Sequence, residues 1–192
     1  MCVTFGEAEI SNTIISNSIL PNGNHLMCYQ NEIKNLEKGL NVLILPIPSL
    51  DPIGEFNVLN SEKMPHILHD MKDAIYVEPT KGTTRGMSMC FSDDSIEVFQ
   101  SGIYTMATYC DPDNIQNVLD KLPEDKRFAP NKQIMEDYQK LYPNWWKLLC
   151  IFDVKEMTES HPIMVAYNPI NKEEFLYPTL DAHSGKTPDL NE

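Results

Sequence analysis

The second residue of the chain is a cysteine. Once Met1 is trimmed, Cys2 carries a thiol and a free α-amine on one residue. An amine with an unperturbed pKa of about 7.7 to 8.0 can take the thiol proton at neutral pH, which makes a nucleophile without a separate histidine. Amide hydrolysis or acyl transfer is the chemistry such a pair serves, with backbone or asparagine N–H groups holding the oxyanion. His183 and Asn12 are the side chains expected beside it. The plainer role for Cys2 is a small residue that begins a strand, because most cysteines are structural.

Two further groupings have the right residue types. His66, His69, Asp70 and Asp73 stand at i, i+3, i+4 and i+7, which aligns them on one helix face, and two imidazoles with two carboxylates can hold a divalent metal. A polar face is also what an amphipathic helix turns to solvent, and no other ligand motif completes that set. Cys150, with His161 and His183, supplies a thiol and a base on neighbouring C-terminal stretches. Cys150 lies inside LLCIF, where apolar surroundings raise a thiol's pKa and silence it. Trp145, Trp146, Tyr104, Tyr109, Tyr138 and Tyr142 can line a pocket for a flat ligand or fill a core. Glycine-rich nucleotide loops, serine-hydrolase elbows and H-E-x-x-H are absent, so no cofactor is expected.

The elements that must position these residues follow from turn punctuation and periodicity. NTIISNSIL, PNGN and HLMCYQNEI read as a hairpin, because Asn22-Gly23 supplies positive φ. NVLILP is an inner strand ended by proline, and PSLDPIGEFNVLN reads as irregular. In SEKMPHILHDMKDAIY, Met64, Ile67, Leu68, Met71 and Ile75 recur at helical spacing. KGTTRG reads as a loop. IEVF and IYTMATY are strands split by Ser101-Gly102. DPDNIQNVLDKL starts a helix with Asp111 as cap and Pro112 in the first turn, with Ile115, Val118, Leu119 and Leu122 as its stripe. NKQIMEDYQKLY is the next helix. WWKLLCIFDV is apolar on both alternating faces and reads as a central strand; PIMVAYNP and EEFLYP follow as shorter ones. The order β-β-β-α-β-β-α-α-β-β-β implies an α+β fold, one domain over residues 1–183 with a largely antiparallel sheet and about three helices, and a frayed tail over 184–192.

The 192 residues suffice for one large core, and 42% hydrophobic content is globular. Fifteen basic residues against 28 acidic ones give a formal charge of -13, which repels phosphate backbones and anionic lipid. Nucleic acid and membrane are therefore excluded as expected partners, while a basic protein or a small molecule is compatible. No apolar run reaches the length of a membrane span, and Glu7 and Glu9 stand where a secretory signal carries basic residues. Cys2, Cys28, Cys90, Cys110 and Cys150 are odd in number and widely spaced, which reads as free thiols in a reducing, cytoplasmic setting.

The MC start, SNTIISNSILPNGNHLMCYQNE followed by NVLILPIP, FQSGIYTMA, and the closing HPIMVAY and FLYPTLDAHSG together resemble a group of uncharacterised proteins that begin at MC and end on HP and PT-x-x-x-H elements. The resemblance implies one integral domain over most of the chain and draws interest to His161, Pro162, Pro178, Thr179 and His183. It implies no activity. The N-terminal cysteine is similar to the start of Ntn-type amidohydrolases, without their further motifs. The expectation is an acidic binding or interaction protein; its rivals are a Cys2 thiol hydrolase and a metal-binding protein using residues 66–73.

Overall fold

A computed structural model of the chain describes residues 2–75, 96–178 and 180–188. KGTTRG, Cys90 and Thr179 lie outside them. Among the described residues the fold is α+β, with three helices and two antiparallel five-stranded sheets. In chain order the strands are β1 (Val3–Thr4), β2 (Ala8–Ile19), β3 (His25–Asn35), β4 (Asn41–Ile47), β5 (Val58–Leu59), β6 (Val98–Ser101), β7 (Tyr104–Tyr109), β8 (Trp146–Phe152), β9 (Thr158–Glu159) and β10 (Ile163–Tyr167). The helices are α1 (Ile67–Ala74), α2 (Ile115–Lys121) and α3 (Lys132–Leu141).

One sheet runs β1-β4-β8-β7-β6; the other runs β2-β3-β10-β5, with β9 also paired to β3. The first sheet is apolar on both faces, and its alternation divides the core. Leu43, Leu45, Ile47, Leu148, Cys150 and Phe152 face the second sheet, where they meet Met27, Tyr29, Ile33, Ile163 and Val165. Val42, Ile44, Leu149 and Ile151 point the other way onto Val118 of α2, Leu122 just after it, and Ile134, Met135 and Tyr138 of α3. β4 and β8, buried along nearly their whole length, are the inner strands their sequences predict.

The first hairpin forms as expected: β2 pairs β3 from Ala8↔Asn35 to Ile19↔His25, and Gly23 supplies a φ of 83° in the turn. Asp111 accepts from the Asp113 N–H and opens a 3-10 turn that leads into α2. Four expectations need correction. EEFLYP forms no strand, and the irregular stretch after Pro48 contains β5. The single expected sheet is two, because a strand pattern records which faces are apolar but not which strands pair. In α1 only Leu68 of the apolar stripe is buried; Met64, Met71 and Ile75 are exposed.

Candidate functional site

The two ends of the described chain lie together. The Thr4 N–H donates to the Ala182 carbonyl at 3.0 Å, the Ala182 N–H to the Cys2 carbonyl at 3.0 Å, and the Ala8 N–H to the His183 carbonyl at 2.9 Å. Val3 and Ala182 form a parallel bridge, and Glu7 and Ser184 an antiparallel one. Asn131, the residue that caps α3 through the Ile134 N–H, clamps both segments with its side-chain amide, which donates to Phe5 O at 3.0 Å and Gly185 O at 2.9 Å. Alternation in an extended segment puts Asp181 and His183 on one side of the backbone and Ala182 on the other, packed toward the helix layer.

Asp181 and His183 meet Cys2. Cys2 Sγ lies 3.4 Å from His183 Nε2 and 4.0 Å from Asp181 Oδ1, while Nε2 and Oδ1 are 3.3 Å apart. The Cys2 N–H donates to Asp181 Oδ1 at 3.2 Å. Among the described residues this is the one group of three or more Cys, His, Asp or Glu whose ligand atoms all fall within 4.8 Å of one another. Behind the sulfur, the Tyr29 hydroxyl donates to Sγ at 2.9 Å and accepts from Asn31 Nδ2 at 3.1 Å. Asn31 Oδ1 in turn accepts from the Tyr104 and Ser160 hydroxyls, each at 3.2 Å. A buried polar chain thus runs from the gap between the sheets to the thiol.

Burial pushes the Cys2 thiol up to about 11, although the Tyr29 hydroxyl pulls the other way. Burial also pushes the His183 imidazole below the usual histidine range, against the pull of Asp181. It pushes the Asp181 carboxyl up, but hydrogen bonding, including that from the Cys2 N–H, outweighs it and holds the group below the ordinary carboxylate value. The resting site is therefore a thiol, a neutral imidazole and a carboxylate. A nucleophile relay needs the acid on one ring nitrogen and the nucleophile on the other. Here both Sγ and Oδ1 address Nε2.

Of the residues singled out from sequence, Cys2 and His183 are brought together. Asn12 is exposed at the β-bulge in β2, with a φ of 51°, and bonds neither of them. His161 packs against the turn between β6 and β7, and its buried Nδ1 has no hydrogen-bond partner among the described residues. Cys150 is fully buried, and burial pushes its thiol up. His66, His69, Asp70 and Asp73 form no converging ligand group; His69 Nε2 is instead paired with Glu159 Oε1 at 2.7 Å. The aromatic residues line no shared pocket: Tyr104 packs between the sheets, whereas Tyr109, Tyr138 and Tyr142 pack under the helices. Sequence reasoning missed Asp181. Its signal was the D-A-H alternation, legible only once that stretch is known to be extended.

The class of protein defined here is an α+β protein with two antiparallel sheets and a helical layer against one of them. The sequence matches no family model. It matches no curated protein either. Among solved structures, the fold is similar to that of the crystal structure of baculovirus P35, with a TM-score of 0.50 and 18% identity over 88% of this chain. This chain spans 58% of the length of that one. No helix among the described residues is long and apolar enough to cross a membrane.

Proposed function

We propose that this chain is a protein-binding protein of the protease-inhibitor type, whose partner is a protease. The observation that carries the reading is the P35-like fold over 88% of the chain. P35 is a caspase inhibitor, so a caspase is the first target to assay. The buried thiol and the shared imidazole nitrogen support binding over turnover, because neither prepares Cys2 to attack a substrate. The formal charge of -13 favours a partner with a basic rim through long-range attraction, and a cytoplasmic setting agrees with the widely spaced cysteines. A small-molecule ligand is the weaker partner reading.

The test is inhibition of a panel of purified cysteine and serine proteases by the full chain, followed by size-exclusion chromatography of any inhibited pair. Stoichiometric inhibition with co-elution is expected for at least one cysteine protease. Absence of both across the panel at micromolar concentration overturns the reading. The thiol-hydrolase alternative has one observation in its favour, the 3.4 Å approach of Cys2 Sγ to His183 Nε2. It requires catalytic turnover of amide or ester substrates that disappears with Cys2→Ala and His183→Gln alike.

A further inference from the structure

The triangle of Cys2 Sγ, His183 Nε2 and Asp181 Oδ1 has edges of 3.4, 3.3 and 4.0 Å. A tetrahedral zinc ion with bonds of about 2.3 Å to sulfur and about 2.0 Å to nitrogen and oxygen holds its ligands about 3.5 Å (S to N and S to O) and about 3.3 Å (N to O) apart. Two edges already match, and the third needs to close by about half an ångström. Three electron-rich atoms converging on one point, two of them addressing the same imidazole nitrogen, is a poor relay but a natural ligand set. We propose that Cys2, Asp181 and His183 form a binding site for a divalent transition metal, zinc in the first instance.

The donor types agree with that choice. Thiolate and imidazole select zinc or cobalt over the hard, oxygen-seeking calcium and magnesium. The Tyr29 hydroxyl, 2.9 Å behind Sγ, is the outer donor that a metal-bound thiolate uses. Entry is from the surface, since the Asp181 and His183 side chains are 55% and 22% exposed while Cys2 closes the inner wall. Water takes the fourth position in a chain that keeps Met1. In a trimmed chain the Cys2 α-amine takes it, because that nitrogen lies 3.2 Å from Asp181 Oδ1 and chelates together with its own thiolate. Binding exchanges the S–H bond for a metal–sulfur bond, the proton leaves to solvent, and nothing is oxidised. The site stands apart from the inhibitor role proposed above, and either can fail without the other.

The test is titration of the metal-free full chain with Co2+ under a non-thiol reductant, read by thiolate-to-cobalt charge-transfer absorption and by the visible bands of a tetrahedral ion, followed by displacement with Zn2+. One equivalent is expected. Cys2→Ser removes the charge-transfer band, and His183→Gln and Asp181→Asn each weaken binding about tenfold or more. His69→Gln and Cys110→Ser leave it unchanged. Circular dichroism confirms folding of each variant, and Asp181→Asn, on the exposed side, decides the matter if the Cys2 variant does not fold. A wild-type chain with no thiolate band, a band that survives Cys2→Ser, or unweakened binding in Asp181→Asn overturns the proposal.

Discussion

Asn31 is the hub of the polar chain that ends at Cys2, and its replacement by alanine is the most informative perturbation of the fold behind the site. The side chain is buried between the sheets, donates to Tyr29 and accepts from both Tyr104 and Ser160. Truncation takes the shared acceptor from the Tyr104 and Ser160 hydroxyls, only one of which can then donate to the other, and removes one donor from the Tyr29 oxygen, which keeps Thr13. An unsatisfied buried polar group costs about 1–3 kcal/mol, so Asn31→Ala is expected to lose about 3 kcal/mol. Tyr104→Phe removes one partner while Ser160 still serves Oδ1, for a loss of about 1 kcal/mol. The double variant is expected to lose about 3 kcal/mol rather than the sum, because the second change removes a group that has already lost its acceptor. Urea denaturation at pH 7, followed by intrinsic fluorescence with a common slope, measures all three. A loss under about 1 kcal/mol for Asn31→Ala, or strict additivity in the double variant, refutes the hub.

Gly102→Ala is expected to destabilise by about 1–2 kcal/mol, because φ is +56° and the new Cβ would lie 2.6 Å from His161 Cδ2; thermal unfolding checks it. Thr187→Ala raises the Asp137 pKa, since the Thr187 hydroxyl leads the bonds that hold it low. A depressed carboxylate contributes stability that is present above its unfolded value and lost as pH falls through the folded one, so the variant loses part of that contribution; carboxyl NMR titration measures the shift. Lys147 is fully buried, donating to Cys110 O, Gln139 Oε1 and Tyr142 O, and burial lowers its pKa from 10.5. The unfolded chain therefore holds that proton more tightly, and wild-type stability relative to Lys147→Met rises as pH climbs toward 10.5 in a denaturation series. Among the described thiols, partly exposed Cys110 reacts with iodoacetamide ahead of buried Cys28 and Cys150, as peptide mapping reads.

Local rules carried the sequence reading wherever the physical cause was local. The Asn22-Gly23 turn, the cap at Asp111, the stripes of α2 and α3 and the doubly apolar β4 and β8 were legible because each needs only neighbours within a few residues. β1, β5 and β9 were not, since two-residue strands exist through their partners rather than through any pattern of their own. The 66–73 face looked like a ligand set because helical spacing aligns side chains, yet alignment along a surface does not converge donor atoms on a point. Cys2 and His183 stood out by residue type, but what joins them to Asp181 is contact across 179 and 181 positions of chain. The closing segment is drawn beside β1 by backbone hydrogen bonds and by the Asn131 clamp. The chain's own sequence settled which residues are apolar, where it turns and that it folds as α+β. Tertiary structure alone decided that residues 2–8 meet residues 181–185 and that thiol and carboxylate share one imidazole nitrogen, because loop closure over such distances is set by the whole packed core rather than by any stretch of it.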